Sequence, residues 1–489
     1  MGVAPVAGRG VRAASHCRGA GPPLPAPVHR ADPGPLSQNR RVANETEKAA
    51  GAPRLKRGVT GPLLFLFILG DVLGAGVYAL IGEMAGEAGG LVWLAFAIAL
   101  VMALLTAFSY AELVTKYPHA GGSAVYAEKA YRSPLAGFLV GFCMLAAGMV
   151  SAAGLSLAFT GEYLTAFVDV PQVPAAIAFL ALVAVVNAWG IKESLRANIV
   201  MTAIETLGLV VVILLGVWVI GRGEADLGGA LTAPSGSGVW VAVLGSALIA
   251  YYSFVGFETS ANLAEEIRDV SRVYPRALFG ALATAGVVYL LLGFIAPAVV
   301  APDELADSSG PLLEVVRVAG AVPPGVFAVV ALIAVANGAL LTMIMASRLG
   351  YGMAQRGLLP SPMSRVLPRR RTPGVAIVVT TLVAIVLAVT GELVDLASTV
   401  VLLLLFVFLS TNVAVLVLRR DRVEHDHFRA PTWLPVLAVL SCLVLLTRQE
   451  AQHWLLAGVL MAAGVVLFLL TRRSSTVVDE VAPVVASEE

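Results

Sequence analysis

Gly61 to Gly82 reads GPLLFLFILGDVLGAGVYALIG. The stretch is long enough to cross a bilayer, for which a helix needs about 20 apolar residues. Its middle nevertheless holds a carboxylate, Asp71, with Gly74-Ala75-Gly76 shortly after it. Glycine is a poor helix former, and two glycines one residue apart let the backbone unwind and free its amides. In hydrocarbon, unpaired backbone is tolerated only where protein buries it or where it lines a watery cavity. The stretch therefore predicts a broken transmembrane helix facing a binding site.

The rest of the chain is of the same material. Of 489 residues, 58% are hydrophobic and only 13% charged, whereas a soluble domain carries about a quarter charged residues. Most of the chain belongs in a membrane. The net charge of +1 says nothing about partners, because here the distribution of charge matters and not its sum. Cys17, Cys143 and Cys442 are far apart and indicate neither a disulfide framework nor a zinc site. His425 and His427 sit in the charged connector RRDRVEHDHFR, which reads as a solvated loop. No metal, cofactor or nucleic-acid site is indicated.

About 12 transmembrane helices are expected. After the broken first one they run approximately over Leu91–Leu113, Pro134–Leu164, Val173–Gly190, Ile199–Gly221 and Val239–Ala264. The second half continues with Ala277–Val300, Pro324–Ser347, Gly374–Gly391, Leu396–Leu418, Leu434–Thr447 and Trp454–Thr471. Residues 1–58, rich in Ala, Gly, Pro and Arg, read as a disordered cytoplasmic tail, and 474–489 as a second short tail. Lys116, Lys129, Arg132, Lys192, Arg196, Arg268, Arg272, Arg276, Arg348, Arg356, Arg365, Arg369 to Arg371, Arg419, Arg420, Arg422 and Arg429 fall in alternate connectors. The opposite connectors keep Arg222, Arg317 and Arg448 and are acidic at Glu83, Glu87, Asp303, Glu304 and Asp307. By the positive-inside rule both termini are expected in the cytoplasm of a multi-pass protein of the cell membrane.

A second interruption lies in the sixth segment, VWVAVLGSALIAYYSFVGFETSANLAEEI, where Gly256 is followed closely by Glu258. Corresponding breaks in the two halves of a membrane protein are the best sequence pointer to a transporter site at the midplane. An odd number of helices between them inverts one half relative to the other. Gly70 and Gly74, or Gly137 and Gly141, also have the spacing of ordinary close helix packing. Two breaks, each beside an intramembrane acid, favour a binding site, since charges at that depth are expensive and functional by default.

Five stretches carry a family resemblance: LGDVLGAGVY, YPHAGGSAVYAEKAYRSPLAGFLVGF, NAWGIKESLRAN, YYSFVGFETSANLAEEIRDVSRVYPRA and ANGALLTMIMASRLGYGMAQRGLLP. In this order and these places the chain resembles permeases of the amino acid–polyamine–organocation superfamily, close to bacterial relatives of cationic amino acid transporters, over about Val59 to Leu418. The resemblance implies an all-α LeuT-type fold with a five-plus-five inverted repeat: 59–221 the first repeat, 222–418 the second, and 419–473 two extra helices. It also implies secondary active transport of amino acids, cationic ones included, by alternating access. H+-driven uptake is expected ahead of exchange, but the relatives' coupling scheme does not carry over, because Glu205 stands in place of its lysine. The alternatives are an amino acid/polyamine exchanger, an organic cation transporter or a non-transporting amino acid sensor. No enzyme motif stands against these readings.

The site that the resemblance implies lies between the breaks. The substrate carboxylate would sit on amides around Gly74, Ala75 and Gly76, at the positive end of the following half-helix. Its ammonium would meet carbonyls of Leu73 and of Ser253 to Gly256, and its side chain Tyr252, Phe254, Val255 and Phe257. Glu258 matches an acidic gating position. Where some proton-coupled relatives have a lysine in the fifth helix, this chain has Glu205, and Asp71 stands where many have an apolar residue. Asp71 and Glu205 are expected to lie together and share a proton or cation.

Overall fold

The computed structural model describes residues 59–472 other than 75, 119–120, 190, 235–237, 369 and 371, with the side chains of 191–197 and 472 also left out. The two expected tails thus lie outside the described residues. The first segment forms two helices, α1 (Gly61–Val72) and α2 (Gly76–Ala88), bent by 41°. Pro62 lies in the first turn of α1, where its missing N–H has no helical partner to lose. α3 (Val92–Lys116), a connector helix α4 (Gly122–Tyr131) and α5 (Pro134–Phe159) follow. α5 starts on Ser133, whose hydroxyl accepts Ala136 N–H, an N-cap backed by Pro134. Next come the short α6 (Glu162–Thr165), α7 (Gln172–Trp189) and α8 (Ile191–Gly221).

The sixth segment is an α-helix, α9 (Val239–Phe254), that continues as a 3₁₀ helix over Phe257–Glu266. The second half holds α10 (Val270–Val299), the connector helices α11 (Pro302–Asp307) and α12 (Pro311–Ala319), α13 (Pro324–Gln355), α14 (Gly374–Thr390), α15 (Leu393–Leu418), α16 (Trp433–Leu446) and α17 (Ala451–Arg472). Among the described residues nine helices are long and apolar enough to cross a membrane, and α1 with α2 makes a tenth span if counted together. The two remaining expected segments coincide with α14 and α16, of 17 and 14 residues. α8 and α10 start several residues before the expected boundaries, because their polar first turns continue the helix beyond the apolar run.

Helix pairs meet where one of them lacks a side chain, as expected where packing rather than hydrophobicity drives association. A Cβ on Gly148 of α5 would lie 3.1 Å from the Ala346 Cβ of α13, and one on Gly293 of α10 would lie 2.8 Å from Phe96 of α3. Gly70 abuts Thr202 of α8, and Gly137 and Gly141 abut α4, so these glycines do serve close packing. The main pairings are α5 with α13 and α15, α10 with α1 and α3, α9 with α2 and α3, α8 with α13, and α7 with α14.

Connectors gather into two sets. Lys116 Nζ donates to Leu418 O and Asp421 O at 2.6 and 2.7 Å, Ser271 Oγ to Asp426 O at 2.7 Å, and Thr372 Oγ1 to Ala188 O at 3.0 Å. Glu112, almost fully buried, pairs with Arg419 at 2.6 Å and accepts Ala430 N–H at 2.9 Å. A parallel β-bridge joins Val59 to Ile267 at this basic end. At the other end Gly90 N–H reaches Thr232 O at 2.9 Å, and Ser308 Oγ reaches Glu162 Oε1 at 3.2 Å. Arg317 bonds Glu314 and lies 3.6 Å from Glu162. Burial there pushes the Glu314 carboxyl up, and Arg317 pulls it down.

Candidate functional site

The two helix breaks touch. Leu73 N–H closes the last turn of α1 on Leu69 O at 2.7 Å, and α2 begins three residues later against the end of α9. A Cβ on Gly76 would lie 2.8 Å from Ser253 Oγ and 3.0 Å from Ser253 Cα. In the other break Gly256 has φ +125°, a left-handed region natural only to glycine. A Cβ there would lie 2.8 Å from Asp71 O. Glycine at these two positions is what lets the breaks approach.

Two of the acids lining the cavity, Asp71 and Glu258, act on the second break. Thr259 Oγ1 donates to Asp71 Oδ2 and is also 2.8 Å from Gly256 O. Glu258 Oε2 accepts Gly256 N–H at 2.9 Å. The turn between α9 and the 3₁₀ helix is thus held on both sides by carboxylates, one from its own strand of chain and one from α1. The amides opening α2 have no earlier helical carbonyl to bond, and they carry the positive end of that helix dipole.

A cavity of about 480 Å³ opens from the breaks toward the basic connectors. Asp71, Val72, Gly74 and Gly76 line it on one side, and Tyr252, Ser253, Val255, Gly256, Glu258 and Thr259 on the other. It extends past Thr342 and Arg348 to the exposed Glu128 and Arg356. Away from the basic end, Tyr252 OH meets Ser151 Oγ at 2.8 Å. Beyond that contact lies a buried aromatic layer: Tyr78 stacks on Phe327 at 6.1 Å, and Tyr163 OH donates to Tyr78 O at 2.7 Å.

The profile of the amino acid permease family matches residues 63–476. The chain belongs to that family, within the amino acid–polyamine–organocation superfamily. It is 30% identical to an uncharacterized transporter of Mycobacterium tuberculosis (strain H37Rv), over 83% of this chain and 90% of the relative. It is 29% identical to the low-affinity putrescine importer PlaP of Escherichia coli (strain K12), over 80% and 88%. It is 26% identical to the branched-chain amino acid permease BcaP of Bacillus subtilis (strain 168), over 90% and 99%. The protein is a multi-pass membrane transporter.

Not every expected residue of the permease site faces the cavity. Gly74, Gly76, Tyr252, Ser253, Val255, Gly256, Glu258 and Asp71 line it; Ala75 lies outside the described residues. Leu73 is buried beneath the break. Phe254 packs edge-on to Tyr289 at 5.1 Å, and Phe257 stacks on Phe408 at 5.5 Å, so both rings point into the helix bundle. Where a helix breaks, its period no longer tells which way the next side chain points.

Asp71 and Glu205 have different partners. Asp71 is held by Thr259, whereas Glu205 is fully buried on α8 and faces Asn337 of α13. Both Glu205 carboxylate oxygens and Asn337 Oδ1 lack a hydrogen-bond partner, and the Asn337 amide lies 3.5 Å from Thr202 Oγ1. This arrangement, rich in acceptors and poor in donors, replaces the pairing expected from the sequence. Thr259, Ser151, Glu128 and Tyr289 were not singled out by sequence. Thr259 follows Glu258 directly and was within reach of the motif; the others lie on ordinary spans or connectors and carry no such signal.

Proposed function

We propose that this permease is a secondary active transporter that takes amino acids into the cell across the cytoplasmic membrane by alternating access, coupled to protons. The observation that carries the reading is the cavity between two touching breaks, with helix-opening amides on one wall and a carboxylate-braced turn on the other. Such a site offers donors to a carboxylate and acceptors to an ammonium, which suits a zwitterion. The cavity reaches the basic connectors, and among the described residues none from the acidic connectors lines it. With the basic end and both termini in the cytoplasm, this is the inward-facing state.

A five-plus-five inverted repeat is supported by the pairings. Shifting each span by five exchanges α1 on α10 with α9 on α3, α5 on α15 with α13 on α8, and α7 on α13 with α14 on α5. The connector helices obey the same rule: α4 packs on the 3₁₀ helix and α11 on α2. The repeats are then 59–221 and 222–418, with α16 and α17 as the two extra helices.

Asp71, Glu258 and Glu205 are the acids assigned to coupling or gating, since intramembrane carboxylates without basic partners are the groups a proton can reach and leave. A polyamine or other organic cation is the second reading. Four carboxylates, Asp71, Glu128, Glu258 and Glu266, line the cavity against Arg348 and Arg356, and one relative imports putrescine.

Uptake into proteoliposomes of a panel of radiolabelled amino acids and polyamines, with and without an inward proton gradient, tests the proposal. Gradient-stimulated uptake of an amino acid is expected, with its pH profile flattened in Glu205→Gln and Glu258→Gln. No flux of any compound by folded protein overturns the transport reading, and flux indifferent to the gradient overturns the coupling.

A further inference from the structure

A helix that stops leaves its last carbonyls without amides one turn on. Two such stops face each other here, ending in Val72 of α1 and in the Ser253–Phe254 turn of α9. Both Val72 and Ser253 line the cavity. Between their carbonyls stands one hydroxyl, that of Tyr289 on α10, 2.5 Å from Val72 O and 3.1 Å from Ser253 O. A phenol has a single proton to donate, so two buried carbonyls share one donor. The Ser253 Oγ is buried and has no partner at all. Ser253, a residue of the cavity wall, therefore holds two oxygens with fewer donors than they can accept.

The ring of Tyr289 is fixed independently of its hydroxyl. It stacks on Phe96 at 5.2 Å and meets Phe254 edge-on at 5.1 Å, and the residue is fully buried. The hydroxyl is held where it is by aromatic packing, without help from either carbonyl. A group that brings several N–H donors from the cavity can take Ser253 O and Oγ, and the Tyr289 proton then serves Val72 O alone. A primary ammonium, with three donors and no acceptor, has that chemistry.

We propose that Tyr289 is the positioning residue for the amine end of the substrate: its hydroxyl orients the Val72 and Ser253 carbonyls and yields Ser253 to the arriving ammonium. The inference rests on the amino acid reading above and adds a residue from the seventh span to a site otherwise made by the two breaks. It also links occupancy to geometry. With the amine absent, one hydroxyl bridges the two broken helices; with the amine bound, the substrate itself completes the bridge.

The test is Tyr289→Phe, which removes the hydroxyl and keeps the ring, assayed by uptake of the best amino acid substrate and by its inhibition with the corresponding desamino acid. The expected result is a KM raised by about 5-fold, the scale of a hydrogen bond between neutral groups, with the maximal rate within about 3-fold. The Ki of the desamino acid, which has no ammonium to place, stays unchanged. An unchanged KM overturns the proposal, and so does a parallel rise of KM and Ki, which would mark general loosening of the site. Should the Phe variant not be monodisperse, Tyr289→Met, a flexible filler without a donor, is judged by the same criteria. Failure of the underlying reading is distinguishable, because wild-type protein would then transport no amino acid in the first place.

Discussion

The two helix breaks use the same ingredients, glycine and a carboxylate, to opposite ends. At the second break the chain is braced: Glu258 holds Gly256 N–H, and Asp71 reaches across from α1 to the Thr259 hydroxyl. At the first, Gly74 and Gly76 line the cavity and the chain restarts at once as an α-helix, with its opening amides free of helical partners. Both acids thus serve the second break. Neither acid bonds a described amide at the start of α2. One break reads as the stiff wall of the site and the other as its anion-binding wall.

The comparison can be broken most sharply at Gly256. Gly256→Ala puts a Cβ into a backbone of φ +125° and within 2.8 Å of Asp71 O. Strain of this kind costs on the order of 1–3 kcal/mol locally, and uptake is expected to fall by about 100-fold, measured in proteoliposomes. Asp71→Ala, which leaves the Thr259 hydroxyl without its carboxylate, should lower uptake by about 10-fold, while Asp71→Asn keeps an acceptor and should lose only about 3-fold. Equal losses for Ala and Asn would mean that charge rather than the Thr259 contact matters. Gly74→Ala is the mildest. A Cβ there lies 3.3 Å from Asp71 O, close enough to need a shift of a few tenths of an ångström, and a loss of about 3-fold is expected from limited overpacking. A Gly74→Ala effect as large as that of Gly256→Ala would erase the distinction between a braced and an adaptable break.

What could be read from sequence follows the same division. The breaks were legible because Gly74-Ala75-Gly76 and Gly256 interrupt long apolar runs beside acids, a pattern with few explanations in hydrocarbon. The membrane class and most helices followed from apolar length alone. Partners across the breaks were not legible. Asp71 was expected beside Glu205, yet it bonds Thr259, and Glu205 faces Asn337 of α13. Phe254 and Phe257 were expected at the substrate side chain but turn into the bundle against Tyr289 and Phe408. Phe257 follows a break that ends the helical period, whereas Asp71, Glu205 and Phe254 lie within α1, α8 and α9, whose rotations about their own axes a sequence does not give. Tyr289 and Ser151 gave no signal because a lone polar residue in an apolar span becomes meaningful only once its neighbours are known.

The central claim is that the first break receives a carboxylate and the second an amine. Competition against uptake of the best labelled amino acid by three unlabelled compounds measures it directly: the same amino acid, its decarboxylated amine and its desamino acid. The account predicts that removal of either end weakens competition by about 10-fold or more, with the intact amino acid strongest. A decarboxylated amine that competes as well as the amino acid, or better, would contradict it and make the first break a bystander in a site for cations.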